Sequence, residues 1–113
     1  MLAKINRLSR QKDFKRVLTK GKSFFSPAFR LRYLANESNL FCVAVIVSSK
    51  VSKKATVRNR LKRQTLEIIR LNLDKIKPGY DLLVYLSSQA LKSDYGLLKH
   101  EFLANLSKLR MLK

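Results

Sequence analysis

The chain has 113 residues, a length typical of one domain, so we expect a single domain over residues 1–113. Lysine and arginine number 25 against 7 aspartates and glutamates, which gives a formal net charge of +18 and indicates a polyanionic partner such as nucleic acid. Apolar residues make up 46% of the chain, which is enough for a buried core and argues against a disordered basic tail.

The first half of the chain predicts a helix followed by three strands. Ser9 can cap a helix that runs to about Lys20, and Gly21 then stops it. The turn-rich residues 36–39 predict a hairpin loop between the second and third strands. The third strand is almost continuously apolar, which predicts a central strand covered on both faces. The strands are predicted over residues 23–26, 29–35 and 40–48.

The second strand alternates between apolar and basic side chains. Phe29, Leu31 and Tyr33 are predicted to face the core, whereas Arg30 and Arg32 are predicted on the opposite face. These two arginines would line the surface of the sheet. The residues alone leave open whether they are solvated or contact phosphate.

The second half predicts a long helix, a strand and a third helix. The long helix runs from about residue 55 to about residue 73, and a turn at residues 77–79 leads to a strand over residues 80–86. Ser93 or Asp94 then starts a helix that continues to the C-terminus. The apolar stripes of the two helices are Val57, Leu61, Thr65 and Ile68, and Leu97, Leu98, Phe102, Leu106 and Leu109.

The resulting order α-β-β-β-α-β-α predicts an α+β fold, an α/β sandwich of two to three layers around a four-stranded mixed sheet. A strand, a crossover helix and another strand suggest a parallel pair within that sheet. The helices before, between and after the strands are expected to cover both of its faces.

A dense basic segment marks the start of the second helix. Residues 50–63 carry seven basic side chains and no acid, and like charges this close repel one another unless a polyanion neutralises them. Arginine can clamp a phosphate with two hydrogen bonds, and the start of a helix adds free N–H groups. Asn59 can both donate and accept, so it could recognise a base edge or a 2′-hydroxyl. The candidate RNA-binding residues are Lys50, Lys53, Lys54, Arg58, Asn59, Arg60, Lys62 and Arg63.

Aromatic side chains could stack on unpaired bases, although core packing is their more usual role. Phe14 is the most open candidate, because Asp13 and Lys15 flank it on the first helix. Core packing is expected for Phe29 and Tyr33. The remaining aromatic candidates are Phe24, Phe25 and Tyr85.

No set of residues predicts catalysis or metal binding by the protein itself. The acids are scattered, and the lone histidine, His100, lies beside Glu101 on the third helix. Cys42 is predicted to be a small buried hydrophobic side chain. One cysteine permits no intrachain disulfide, and the first residues lack the apolar core of a signal peptide, so we expect a cytoplasmic protein. We expect no catalytic residue, no metal ligand, no membrane partner and no small-molecule substrate.

Residues 55–63, ATVRNRLKR, resemble the signature of the protein component of bacterial ribonuclease P. Further features agree with this family: NRL at residues 6–8, KDF at residues 12–14, Gly21 after the first helix, and GYD at residues 79–81. The resemblance covers nearly the whole chain.

The resemblance implies a function and its sites. Ribonuclease P is an RNA–protein endonuclease that removes the 5′ leader from precursor tRNA, and its RNA, with bound Mg²⁺, is the catalyst. The protein subunit would bind no cofactor itself and would contact the catalytic RNA through the basic segment. A cleft between the first helix and the sheet would hold the single-stranded leader, and the crossover between the third and fourth strands would be left-handed, against the usual rule. The leader-binding positions so implied are Phe14, Lys15, Leu18, Arg30 and Arg32.

The chain departs from the family pattern at two places. Members commonly carry Ser-Lys-Lys where this chain has SSK at residues 48–50, so one phosphate contact would be weaker unless Lys53 and Lys54 replace it. An aromatic residue is frequent at the position of Leu18, which affects stacking on the leader. Contacts to the RNA backbone would survive both changes.

The residues leave other function classes open. A structural rRNA-binding protein of the ribosomal type is the main alternative, and the identity of the co-purifying RNA would separate the two. A self-sufficient nuclease lacks a carboxylate cluster in this sequence. A basic membrane-surface binder would need an amphipathic helix that the core does not use.

Overall fold

The structure, a computed structural model, describes residues 2–113 and contains one four-stranded mixed sheet with helices on both sides. This confirms the predicted α+β class and the α-β-β-β-α-β-α order. Short 3-10 turns lie at Lys4–Asn6, Leu73–Lys75 and Ser88–Lys92. The main elements are α1 (Gln11–Lys20), β1 (Lys22–Phe25), β2 (Phe29–Ala35), β3 (Cys42–Ile46), α2 (Ala55–Leu71), β4 (Tyr80–Leu86) and α3 (Tyr95–Lys108).

The strands are arranged in the order β1-β2-β4-β3, with β2 antiparallel to both of its neighbours and β3 parallel to β4. The predicted central strand at residues 40–48 is therefore wrong, because β3 lies at an edge of the sheet. Its apolar run has another cause. Val43 and Val45 enter the main core, while Ala44 and Ile46 on the opposite face pack near Leu8. Apolar residues on both faces thus do not require strand neighbours on both edges.

Residues 36–39 do not form the predicted hairpin, because β4 separates β2 from β3. The loop instead crosses the start of β4. The Asn36 N–H donates to the Gly79 carbonyl at 2.8 Å, and the Gly79 N–H donates to the Leu40 carbonyl at 2.9 Å. Gly79 has a φ of 92°, in the left-handed region that favours glycine, so the chain bends where residues 77–79 predicted a turn.

The main core lies between the sheet and the pair formed by α2 and α3. Ile68 and Phe102 are fully buried in one apolar cluster with Leu31 and Val84. The rings of Phe29 and Phe102 meet edge to face, with centroids 5.5 Å apart. Burial of this cluster is what holds the two helices on the sheet.

The first helix covers the opposite face of the sheet, which makes three layers. Val17 is fully buried there, in a smaller cluster with Leu8 and Leu83. Phe14 packs against this cluster and stays half-buried. Within residues 2–113, no helix has the length and apolar character needed to cross a membrane.

The observed helix ends agree only partly with those predicted from the sequence. Asp94 caps α3 as predicted, since its Oδ1 accepts from the Leu97 N–H at 2.9 Å. The predicted Ser9 cap is wrong, because α1 begins one residue later, after Arg10. Leu97 is also misplaced by the prediction: it is 57% exposed, while its neighbour Leu98 is buried.

Gly21 follows the last residue of α1, at a position too crowded for a side chain. Its φ of −74° is open to any residue. A Cβ atom at this position would lie 2.4 Å from the Val17 carbonyl oxygen and 2.9 Å from that of Tyr33. Both neighbours are backbone atoms, so neither can move aside cheaply. The glycine allows α1 to end directly against β2.

We expect Gly21→Ala to lower the free energy of unfolding by about 1–3 kcal/mol, because overpacking against fixed backbone has that cost. Denaturant titration followed by circular dichroism measures the change. Gly96→Ala is the matched control, since its Cβ would lie 3.4 Å from the nearest atom and alanine favours a helix. Equal stability of the two variants would contradict this role of Gly21.

Candidate nucleic-acid interface

The basic segment forms one continuous surface at the start of α2. The chain leaves the sheet at Ile46, passes through a loop at residues 47–54 and enters α2 at Ala55. The cationic and amide side chains here are exposed, apart from a half-buried Arg58. We call this the α2 surface; its members are Lys50, Lys53, Lys54, Arg58, Asn59, Arg60, Lys62 and Arg63.

Within residues 2–113, no acid forms an ion pair with a member of the α2 surface. The ion pairs Arg16–Asp81, at 3.1 Å, and Arg70–Glu67, at 2.6 Å, involve none of its members. The hydrogen bonds from Arg70 lower the pKa of Glu67 below its ordinary value, so that carboxylate stays ionised and engaged. The positive charge at the start of α2 is therefore available to an external anion.

Arg58 has a structural role besides its charge. Its Nη1 donates to the Ser52 carbonyl at 2.8 Å, which ties the basic loop back onto α2. The Lys54 N–H also donates to the Ser52 hydroxyl, at 3.2 Å. These bonds hold the loop lysines beside the positive end of the helix.

Two concavities flank the α2 surface, and Asn59 and Lys62 line both of them. The first has a volume of about 250 Å³ and lies between β3 and α2, with Ile46 and Arg58 in its wall. The second has a volume of about 520 Å³ and lies between the N-terminal segment and α2. Asn59 therefore lies between the two concavities. We call the second concavity the N-terminal groove; its lining is Leu2, Arg7, Asn59, Lys62, Arg63, Leu66 and Glu67.

A row of side chains crosses the sheet and ends at the first concavity. The strand register pairs Phe25 with Arg30, Arg30 with Tyr85, and Tyr85 with Ile46, so all four lie on the face that α1 only partly covers. Phe25 is 69% exposed. The guanidinium carbon of Arg30 lies 4.7 Å from the centre of the Tyr85 ring. We call these four residues the sheet row.

The predicted leader-binding residues gather beside the sheet row. Lys15 and Leu18 are exposed on α1, and Arg30 is part of the row. Phe14 is half-buried and packs against the same small cluster as Tyr85. These positions form one surface between α1 and the sheet.

Arg32, the fifth predicted leader residue, is largely engaged within the protein. Its Nε donates to the carbonyls of Val17 and Leu18, at 3.1 and 3.0 Å, and its Nη1 donates to the Ser23 hydroxyl at 2.7 Å. The Leu18 carbonyl lies in the last turn of α1, where carbonyls lack helical partners, whereas the Val17 carbonyl also accepts from the Gly21 N–H at 2.9 Å. Arg32 therefore fixes the position of α1 on the sheet.

The structure confirms core packing for Phe29 and Tyr33, and the register decides the faces of the other aromatic candidates, which the sequence left open. Phe24 and Tyr33 face the main core, and Phe29 is buried in it. Phe25 and Tyr85 are on the α1 side. Neighbouring residues of β1 point to opposite faces, but only the pairing with β2 shows which face Phe25 occupies.

Another cavity, of about 680 Å³, lies at the opposite end of α1. Asp81 is buried in its wall, where it accepts from Arg16 at 3.1 Å and from Asn36 at 2.8 Å. The prediction of a buried Cys42 is wrong, because this half-exposed side chain also lines the cavity. Partial burial, together with the charges of Asp81 and Asp13, raises the pKa of the Cys42 thiol, so it is a poor nucleophile. Within residues 2–113, no three His, Cys, Asp or Glu side chains form a metal-binding group.

A cationic helix surface that continues into a sheet face with an exposed aromatic and an arginine–tyrosine pair defines an RNA-binding α+β protein. The family model for Ribonuclease P matches residues 2–110, and the chain belongs to this family. As a member, it is a subunit of an RNA-based endoribonuclease of tRNA 5′ processing, and the protein alone is not the catalyst. This confirms the family resemblance and decides against the ribosomal alternative.

Individual relatives agree with the family match. The chain is 34% identical over 113 residues to the ribonuclease P protein component of Pseudanabaena sp. (strain PCC 6903), an alignment that covers 99% of this chain and 97% of the relative. It is 40% identical over 93 residues to that of Clostridium botulinum (strain Loch Maree / Type A3), with 81% and 83% covered.

Solved structures show the same fold. The RNase P protein from Thermotoga maritima superposes with a TM-score of 0.82 at 29% identity, covering 90% of this chain and 96% of that one. The Staphylococcus aureus RNase P protein superposes with a TM-score of 0.86, covering 96% and 98%; at 23% identity this likeness concerns the fold alone.

We expect Arg58→Ala to lower the free energy of unfolding by about 1 kcal/mol, the usual net value of one lost hydrogen bond. Arg60→Ala removes the same charge from an exposed position and should change stability by no more than about 0.5 kcal/mol. Denaturant titration of both variants makes the comparison. If they unfold alike, Arg58 does not anchor the loop.

Proposed function

We propose that the α2 surface binds the catalytic RNA of ribonuclease P, and that the sheet row with the exposed side of α1 holds the 5′ leader of precursor tRNA. The observation that carries this proposal is the continuity of the two surfaces, since Ile46 belongs to the sheet row and also lines the concavity beside Arg58 and Lys62. The protein then acts by binding and positioning RNA. We place the reaction in the cytoplasm.

The α2 surface is suited to an RNA backbone. Its arginines can clamp phosphates and its lysines add point charges. The positive end of the α2 dipole adds to these charges. Lys54 occupies the N-cap position, and its side chain makes no capping hydrogen bond within residues 2–113. Asn59 adds an amide that can reach a base edge or a 2′-hydroxyl. Folded RNA offers all of these groups together.

The departure at residues 48–50 has a local consequence on this surface. Ser49 is exposed at a position where the resemblance implies a lysine, so one phosphate contact is missing. Lys53 and Lys54 are exposed on the same loop and can supply that charge. We therefore include both lysines among the contacts to the catalytic RNA.

The leader surface is suited to a single strand. Unpaired bases can stack on Phe25 and on the exposed side of Phe14, and Lys15 can contact the phosphates between them. Arg30 lies over the Tyr85 ring, so a base that approaches there would stack on the guanidinium plane. A duplex would keep its bases inside and could not use these contacts.

Leu18 and Arg32 serve this surface in different ways. Leu18 is 39% exposed and offers apolar contact in place of an aromatic stack. Arg32, on β2, donates to the Leu18 carbonyl and so positions α1 against the sheet. We keep both in the leader surface, Arg32 chiefly as a positioning residue.

The chemistry of bond cleavage belongs to the RNA partner in this proposal. The described carboxylates are separated from one another or engaged in bonds that support the fold. We place the catalytic Mg²⁺ on the RNA, where phosphate oxygens supply the ligands that this ion prefers. The protein lowers the repulsion between the two RNA molecules and grips the leader.

We expect the double variant Lys54→Ala with Lys62→Ala to bind ribonuclease P RNA more weakly, and its plot of log affinity against log salt to be shallower by about 2, one unit per lost phosphate contact. Filter binding over a series of salt concentrations gives the slope. Lys99→Ala with Lys108→Ala is the matched control. It removes the same charge from two exposed lysines of α3, outside the α2 surface. An equal loss of slope in both pairs would refute the α2 assignment.

We expect Phe14→Ala and Arg30→Ala each to reduce the preference of the holoenzyme for precursor tRNA over leaderless tRNA by about fivefold or more, because one lost stack has a cost of about 1–3 kcal/mol. Binding to leaderless tRNA should not change, which controls for folding. Leu97→Ala removes an exposed apolar side chain from α3 and should keep the preference. A wild-type holoenzyme that ignores leader length would rule out this surface.

A further inference from the structure

The N-terminal groove is lined by both apolar and charged side chains. Leu66 is half-buried at α2, with its inner side packed against the main core, and Leu2 is almost fully buried. Asn59, Lys62 and Arg63 also line the groove and are exposed. The volume of about 520 Å³ falls within the range of roughly 300–1,000 Å³ typical of ligand sites.

The chain builds the groove from both of its sides. The Arg7 Nε donates to the Leu2 carbonyl at 3.1 Å, which holds the N-terminal segment in place. Arg70 binds Glu67 through two hydrogen bonds, of 2.6 and 3.1 Å, which restrain the carboxylate on the surface of α2. The groove is therefore shaped before any ligand arrives.

A phosphate alone does not fit this arrangement. A phosphate site needs several convergent donors, whereas here Arg7 is hydrogen-bonded to the Leu2 carbonyl, and Lys62 and Arg63 are exposed beside apolar side chains. A flat group with an apolar face and polar edges, joined to a phosphate within reach of Lys62 or Arg63, fits this mixed lining.

We propose that the N-terminal groove receives one unpaired nucleobase of the RNA that the α2 surface binds, with Leu66 against the base face and Asn59 at the base edge. This inference rests on the proposed function, because Asn59, Lys62 and Arg63 belong to both the groove and the α2 surface. The base has to be unpaired, since a base within a duplex keeps both faces stacked on its neighbours. The groove would thus select a bulged or looped nucleotide.

The direct test uses two RNA hairpins that differ at a single-nucleotide bulge, which carries a base in one and is abasic in the other. Methyl NMR of leucine-labelled protein follows Leu66. A base stacked on Leu66 should shift its methyl signals upfield through the ring current, and the abasic hairpin should not. The methyl signals of Leu97, exposed on α3, should stay fixed with both hairpins. Leu66 signals that do not move, or that move equally with both, would overturn the proposal.

Affinity gives a second measurement. The hairpin with the base should bind about tenfold more tightly than the abasic one at the same salt concentration. Leu66→Ala should reduce this ratio to about one, and Leu66→Met, which keeps the volume, should retain it. Asn59→Ala, at an exposed position with little effect on folding, should lower the ratio as well. A ratio that survives both alanine substitutions would exclude the groove as the base site.

The same titrations separate this proposal from the proposed function. If the two hairpins bind equally and Lys54→Ala with Lys62→Ala still flattens the salt dependence, the groove proposal fails and the α2 surface stands. If the lysine substitutions have no effect on either hairpin, the α2 surface itself fails. Phe14→Ala lies on the other face of the sheet and should leave the base-to-abasic ratio unchanged.

Discussion

The insertion of β4 between β2 and β3 is the constraint on which the rest of the structure depends. β4 is antiparallel to one neighbour and parallel to the other, so it joins the N-terminal strands to the part of the chain that carries α2. A parallel pair cannot be closed by a tight turn, and the required crossover is α2 itself. The start of α2 therefore lies near the ends of β3 and β4, beside Ile46 and Tyr85. The parallel pairing of β3 with β4 thus brings the start of α2 and the sheet row together.

The acids show how a chain of +18 can fold and keep a cationic face. Glu101 accepts from the Ser26 hydroxyl at 2.5 Å and from the Ala28 N–H at 2.7 Å, which ties α3 to the turn between β1 and β2. Asp94 caps α3, and Asp81 joins α1 to the loop before β3. Because these carboxylates are engaged in the fold, they leave the α2 surface cationic. Repulsion between the charges of that surface would be relieved by a bound polyanion, as the proposed function requires.

Arginines on the two surfaces proposed to bind RNA have two different roles. Arg58 and Arg32 donate to backbone carbonyls and hold a loop and a helix end in place. Arg60 and Arg63 are exposed and can turn wholly toward RNA. At Arg58 and Arg32, a lysine would keep the charge but lose the planar set of donors. Arg-to-Lys changes should therefore weaken the backbone contacts at these two positions and not at Arg60 and Arg63.

The sequence by itself determined the features that depend on near neighbours along the chain. Helical spacing located α2 and its stripe, alternation placed Arg30 opposite Phe29, and charge density located the α2 surface. Such patterns can be recognised because side chains three or four apart on a helix, or two apart on a strand, share a face whatever the fold. The class of partner followed from charge, and the family followed from the match of residues 55–63 to a known signature.

Only the tertiary structure decided the strand order, the edge position of β3 and the failure of the hairpin at residues 36–39. It also placed Phe25 and Tyr85 in one row, showed Arg58 and Arg32 engaged with backbone, and built a groove from Leu2 and Leu66. Each of these features joins segments that are distant in sequence. Strand pairing of this kind depends on which faces can be buried together, and no local pattern records that choice.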